Sequence, residues 1–189
     1  LFRGDDELKY YKKIRLANNM LCIIRNATMD DAKSVLENTK IIREETDFLL
    51  SYPDEINFSV EEEEELLDDK ENSPCEIQIC ALVDDRIIGL AKVSAVGSKD
   101  KVKHRAEFGI SIEKAYHVKG IGTALTKACI ECAKTAGYRQ LELEVVAENK
   151  NAIALYKKFG FKEIGRNPRG FCSRYTGWQE LISMLLVLD

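Results

Sequence analysis

Ile110-Ser111-Ile112, then, four residues later, His117-Val118-Lys119-Gly120-Ile121-Gly122-Thr123-Ala124: in this stretch the chain changes period, and that change decides the fold. Arg105 to Glu113 reads as a strand, whereas Ile121, Ala124, Leu125, Ala128 and Cys132 fall at helical spacing up to a capping Gly137. A helix that opens directly after a strand presents unpaired backbone N–H groups and about half a positive elementary charge, which suits a phosphate or pyrophosphate. Gly120 and Gly122 let a ligand approach that backbone. Two other nucleotide motifs fail here: a dinucleotide fingerprint needs glycine where Leu125 stands, and a P-loop needs Gly-Lys-Ser/Thr. Taken alone, the two glycines fit a tight turn before a packed helix equally well.

Working outward, Leu141, Leu143 and Val145 alternate with Glu142 and Glu144, a half-buried strand over residues 139–146. A short helix carrying Ala152, Leu155, Tyr156 and Phe159 follows and stops at Gly160. Because a whole helix lies between them, the strands near 107–113 and 139–146 are expected to be parallel neighbours with a right-handed crossover. Phe161–Arg166 and Leu181–Leu188 supply closing strands. On the other side, Leu21–Arg25 reads as a strand. Thr28 with Asp31, and Ser59 with Glu62, mark the starts of two helices, the second strongly acidic through Glu61–Glu65. Glu76–Val83 and Arg86–Val96, joined at Asp84-Asp85, form a hairpin in which Gly89 marks a bulge or a close approach. The pattern is mixed α/β (α+β). Residues 1–20 are read as an N-terminal extension and 21–189 as one domain.

Composition narrows the function classes. The 189 residues are 45% hydrophobic and 32% charged with a net charge of −4, an ordinary globular balance that argues against a generic nucleic-acid binder. No apolar run reaches the roughly 18 residues a membrane helix needs, and the first twenty residues do not read as a secretory signal. A cytoplasmic protein is expected. The six cysteines fit reduced thiols, and Cys129-x-x-Cys132 lies in a helical pattern without a second pair, so it is read as core and no metal is expected.

The glycine turn resembles the acetyl-CoA loop of the GNAT family of acyl-CoA dependent N-acetyltransferases, Gln/Arg-x-x-Gly-x-Gly/Ala, here His117-Val118-Lys119-Gly120-Ile121-Gly122. About thirty residues on, Asn149 to Phe161 is similar to the family's Asn-x-x-Ala-x-x-Leu-Tyr-x-x-x-Gly-Phe segment. Two ordered motifs are far more specific than either alone, and together they cover about Glu107 to Gly165. Two positions depart from the pattern: His117 stands for the usual arginine or glutamine, and Val118 for a frequent glycine.

The resemblance implies a largely antiparallel sheet with a splayed central parallel pair and flanking helices. It implies acetyl-CoA as cosubstrate, its pyrophosphate held by amides of Val118, Lys119, Gly120, Ile121, Gly122 and Thr123 beside His117. The pantetheine arm would pair with the backbone at Ile110, Ser111 and Ile112, with Asn149 in contact and Tyr156 near the thioester sulfur. Read from the residues alone, Asn149 is a helix cap and Tyr156 a core residue on the Ala152, Leu155 and Phe159 stripe; the resemblance reverses the reading for Tyr156. The implied reaction is direct attack by a primary amine, either a small cationic amine, a polyamine or a peptide amine. Acidic Asp47, Asp54, Glu55 and Glu61–Glu65 motivate a cationic acceptor, although the five glutamates read first as a solvated helix face with favourable charge near its start. An ammonium must lose its proton first, so a base is needed; Glu107 is the candidate, with Glu142 and Glu144 behind it, and Tyr156 would serve the leaving thiolate. A non-catalytic acyl-CoA binding or sensing module is the alternative, and a homodimer is left open.

Overall fold

The computed structural model describes residues 7–17 and 19–188, and its centre is an eight-stranded sheet. In chain order the elements are β1 (Tyr11–Arg15), β2 (Leu21–Asn26), α1 (Ala32–Glu45), α2 (Val60–Glu71), β3 (Ile77–Val83), β4 (Arg86–Ala95) and β5 (Arg105–Ile112). They continue as α3 (Ile121–Thr135), β6 (Gln140–Val146), α4 (Lys150–Lys158), β7 (Lys162–Ser173) and β8 (Gly177–Val187). The strand order is β1-β2-β3-β4-β5-β6-β8-β7, antiparallel throughout except for β5 and β6.

Local chemistry places most of these ends. Thr28 N–H donates to Asp31 Oδ2 at 2.9 Å ahead of α1, and Ser59 and Glu62 exchange bonds of 2.8 and 3.1 Å to open α2. Asp84 and Asp85 both take positive φ, 49° and 58°, the geometry of a two-residue hairpin turn whose twist matches its strands. Ala81 faces Gly89 while Leu82 faces Ile87, so β4 bulges at Ile88. A Cβ on Gly89 would stand 3.1 Å from Ile112 Cγ1 and 3.2 Å from Ser111 O, so both expected roles of this glycine are present.

Period-2 alternation then divides the core. One face of the sheet (Ile79, Ala81, Val93, Phe108, Leu141) packs under Ile121, Leu125, Ala128, Cys129 and Cys132 of α3. The other (Cys80, Leu82, Leu90) packs under Ala32, Val35 and Leu67 of the α1–α2 layer. Each fully buried leucine of this kind contributes roughly 1.5–3 kcal/mol. Cys129 and Cys132 are free and buried in that core as expected, and burial pushes both thiols up, Cys132 to about 12, which leaves them unreactive.

Two boundaries differ from the sequence reading. β1 lies in the segment taken as an extension: it pairs along β2 from Tyr11↔Arg25 to Arg15↔Leu21, and Leu8 and Leu16 are buried. Residues 1–6 lie outside the described residues. The closing strands are also longer than expected, because β7 continues through a register shift between Asn167 and Phe171. Gly170 permits that irregularity, since a Cβ there would fall 2.3 Å from Leu181 Cγ.

Candidate active site

β5 and β6 are parallel partners over Arg105↔Gln140, Ala106↔Leu141 and Glu107↔Glu142, and then part. β5 runs on to Ile112 and β6 to Val146 without pairing each other, which opens a wedge. Arg105 fastens the joined end, donating from Nη2 to Glu142 Oε2 at 2.7 Å. The guanidinium holds the Glu142 carboxyl below its usual range.

Strand geometry decides what faces the wedge. Glu113 N–H donates to Ile88 O on the β4 side, and His104 O accepts from Arg139 N–H on the β6 side. Alternation therefore turns the backbone groups of Ile110 and Ile112 toward the gap, where no strand meets them. A cavity of about 610 Å³ begins here and runs to the first turn of α3 and along α4. Its wall includes Ile110, Ser111, Ile112, His117, Val118, Gly120, Gly122, Thr123, Asn149 and Tyr156.

The turn at the mouth is a cradle of backbone N–H groups. The first helical bond of α3 runs from Ala124 N–H to Gly120 O at 3.1 Å, so the N–H groups of Ile121, Gly122 and Thr123 have no partner in the helix. Gly120 is left-handed at φ 95°, and Val118 also takes φ 59° with its side chain 94% exposed. A β-branched residue in that region is strained, and here it stands where the family pattern often has glycine. Gly122 is closely packed: a Cβ there would come within 3.1 Å of Leu155 Cδ2, so that side chain would have to give by a few tenths of an ångström. Lys158 Nζ lies 3.4 Å from Thr123 Oγ1 and adds positive charge beside the cradle.

His117 Nε2 lies 2.9 Å from Ile112 O, so its ring pins the end of β5 and occupies a carbonyl expected to meet the pantetheine arm. Asn149 caps α4, its Oδ1 accepting from Ala152 N–H at 3.2 Å, and lines the cavity as well, so its two readings coexist. Tyr156 is 7% exposed, edge-on to Phe108 at 6.1 Å and beside Phe161 at 5.8 Å. Burial alone pushes its hydroxyl up to about 12, which keeps it a hydrogen-bond donor at neutral pH.

Three expected residues are not in this wall. The Ile121 side chain is fully buried in the core, leaving only its amide for a ligand. Lys119 turns away, its Nζ 2.6 Å from Ala115 O and over the Tyr116 ring. Glu107 is exposed on the sheet face opposite Phe108, in register with Ser94 and Glu142. Sequence reasoning in turn missed Ile42, Glu45, Thr46, Phe48 and Leu49, which form the cavity wall contributed by α1 and the segment after it. No motif marks them; the apolar run Phe48-Leu49-Leu50, a few positions past the end of α1, was the only signal.

Among the described residues no group of three or more His, Cys, Asp and Glu side chains could hold a metal ion, and no helix is long and apolar enough to cross a membrane.

Comparison with known proteins agrees with this geometry. An L-amino acid N-acetyltransferase of Escherichia coli is 31% identical over 93 residues, 49% of this chain and 57% of that protein, so the match spans little more than half of that relative. The crystal structure of a GNAT-family acetyltransferase from Streptococcus pneumoniae superposes with a TM-score of 0.84 at 29% identity, covering 89% of this chain and 99% of that one. The yncA structure from Salmonella typhimurium, solved with its cofactor acetyl-CoA, shares the fold at a TM-score of 0.77 and 19% identity, over 89% and 94% of the two chains. The family model described as the acetyltransferase (GNAT) family matches residues 41–161, more than half of the sequence, and the chain belongs to that family.

Proposed function

We propose that the protein transfers the acetyl group of acetyl-CoA to a primary amine, and that the acceptor nitrogen is an α-amino group. The observation that carries the first part is the wedge: the backbone groups of Ile110 and the N–H of Ile112, which no strand meets, lead within one cavity to the amides of Ile121, Gly122 and Thr123 that have no partner in the helix. An extended pantetheine arm can add to β5 as a strand does, while its pyrophosphate meets the helix start and Lys158. A related fold solved with acetyl-CoA supports the same ligand.

In the reaction the neutral amine attacks the thioester carbonyl carbon, an N–C bond forms, and the C–S bond breaks. Strand N–H groups facing the wedge stabilise the oxyanion. The attacking nitrogen's surplus proton passes through water to the coenzyme thiolate, which leaves as the thiol. Tyr156 serves as the hydrogen-bond donor to the leaving sulfur; held near 12 it stays protonated throughout, so it steadies the thiolate more than it yields its proton.

Two considerations favour an α-amine. The E. coli relative is named for L-amino acids. The second is proton demand: the α-amino group of a peptide, with pKa near 8, is partly neutral at pH 7, whereas a lysine-like amine near 10.4 needs a strong base. Glu45, the carboxylate in the cavity wall, already accepts from Lys114 N–H at 2.7 Å, and Glu142 is held low by Arg105. Glu107 and Glu144 remain as exposed carboxylates on the open face of β5 and β6, where a base acting through water would stand. The acidic residues that favour a polyamine are partly consumed within the protein: Arg174 holds Asp54 and Glu55, and Asp47 is bonded to the β7–β8 hairpin.

The test is release of free thiol from acetyl-CoA across a panel of L-amino acids, amino-terminal peptides and polyamines, with the pH profile of kcat/KM. Turnover of α-amines, with the rise levelling near pH 8 for peptide amino termini and at higher pH for free amino acids, supports the proposal. Turnover confined to polyamines, rising to pH 10, overturns the acceptor, and no release with any amine overturns the transfer.

A further inference from the structure

The segment between α1 and α2 is anchored to a part of the chain more than 120 positions away. Asp47, two residues past α1, is the centre of that contact. Its Oδ2 accepts from Ser173 Oγ at 2.6 Å, from Gln179 Nε2 at 3.0 Å and from Thr176 Oγ1 at 3.2 Å. Gln179 Nε2 also reaches the Asp47 backbone O at 3.2 Å. Ser173 and Gln179 are themselves buried, at 8% and 6% exposure, so these are bonds inside the molecule and not a solvated surface pair. Arg174 adds a second tie: its Nη1 lies 2.8 Å from both oxygens of Asp54 and its guanidinium sits 4.2 Å from the Tyr52 ring centroid, while Tyr52 Oη accepts from Arg174 N–H at 2.7 Å.

The residues next to Asp47 are Phe48 and Leu49, both in the cavity wall. Apart from the short turn at Pro53–Glu55, the chain from Thr46 to Ser59 has no helix or strand to hold it. Left free, such a segment would lose backbone entropy at every residue each time it ordered around a substrate. The Asp47 bonds place it in advance.

We propose that Asp47 is a positioning residue: by fastening the α1–α2 segment to the tip of the β7–β8 hairpin, it fixes Phe48 and Leu49 as the cavity wall against which the acceptor is aligned. Its catalytic consequence rests on the acetyl-transfer reading; the fastening itself does not. Asp47 touches neither the reacting atoms nor the coenzyme cradle, so its removal should affect acceptor handling and spare coenzyme binding.

The experiment uses the full chain, as wild type, Asp47→Ala, Asp47→Asn and Arg174→Ala, with L-alanine as the probe acceptor. Hydrogen exchange is followed in residues 46–55 and 173–179, with α3 as the internal control, and acetyl-CoA affinity is read by calorimetry. Asp47→Ala is expected to speed exchange in both segments together by tenfold or more, to raise the KM for L-alanine at least tenfold, and to leave the acetyl-CoA Kd within threefold. Asp47→Asn, whose amide oxygen can still accept from Ser173, should recover most of both effects, and Arg174→Ala should loosen residues 52–55 without moving the acetyl-CoA Kd. Faster exchange in one segment only, or a loss shared equally by acetyl-CoA Kd, KM and α3 exchange, overturns the proposal. If wild type binds no acetyl-CoA, the transfer reading fails while coupled exchange still decides the fastening; if it binds but leaves L-alanine untouched, exchange and Kd decide it.

Discussion

The half of the cavity between β5 and the start of α3 and its opposite wall are built by different means. The first is local: β5, the glycine turn, α3, β6 and α4 follow one another along the chain, and the parts that would face a coenzyme are mostly backbone amides and carbonyls. The second is assembled from distant pieces, the segment after α1 and the hairpin tip at Ser173–Gln179, joined through side chains. A backbone site tolerates change at many side chains and is intolerant at the few positions where a side chain would fill it. A wall stitched by side chains can be re-cut without disturbing the site it faces, which is the property an enzyme needs to change acceptor while keeping its coenzyme.

That contrast can be broken most sharply at Gly122. Gly122→Val puts atoms where Leu155 already stands, at the start of the cradle. Calorimetry should show acetyl-CoA affinity falling by about 100-fold, roughly 2.7 kcal/mol, with the helical circular dichroism retained. Unchanged affinity would mean that the cradle is elsewhere. Next in size is Tyr156→Phe, which removes a buried hydroxyl without changing the ring packing on Phe108 and Phe161. We expect kcat to fall about 10- to 100-fold with the KM for acetyl-CoA nearly constant, the mark of an interaction made with the leaving group alone. An equal change in KM instead would make Tyr156 a binding residue only.

Smaller effects sharpen the picture of the joined end of the wedge. Arg105 holds the Glu142 carboxyl below its unfolded value, so the pair adds stability above the ordinary glutamate pKa of about 4.3 and loses it as pH falls through the depressed folded value. Glu142→Gln should therefore flatten the decline of Tm below about pH 4.5 and lower Tm slightly at neutral pH; an unaltered acid limb would show that the pair does not fasten the strands. The smallest change is Val118→Gly. Relief of a β-branched residue at φ 59° is offset in part by the greater freedom of glycine in the unfolded chain, and the net gain should be at most about 1 kcal/mol by urea denaturation. A loss of stability would mean that the exposed valine packs on something in solution.

The same division explains what the sequence could and could not reveal. The strand-to-helix switch at Gly120, the parallel β5–β6 pair and the helix caps at Thr28, Ser59 and Asn149 were legible because period and capping are local properties. The partial pairing of β5 and β6 came from resemblance, since no periodicity encodes where two parallel strands part. β1 was missed because Tyr11-Lys12-Lys13-Ile14-Arg15 is a mostly exposed edge strand with little alternation to read. Glu107 and Asp47 show the other limit. Each is a carboxylate that the sequence offers equally as base, substrate contact or surface charge, and only the fold tells them apart: Glu107 lies on the open face, and Asp47 is tied to residues of the last hairpin. Phe48 and Leu49 were invisible for the same reason.

The claim under all of this is that the gap between β5 and β6 receives the coenzyme, and calorimetric titration of the wild-type protein with acetyl-CoA tests it most directly. The account predicts saturable one-to-one heat that free coenzyme A competes away and that Gly122→Val abolishes or shifts by about two decades in Kd. Absence of heat in the wild type, or binding that Gly122→Val leaves untouched, would contradict it.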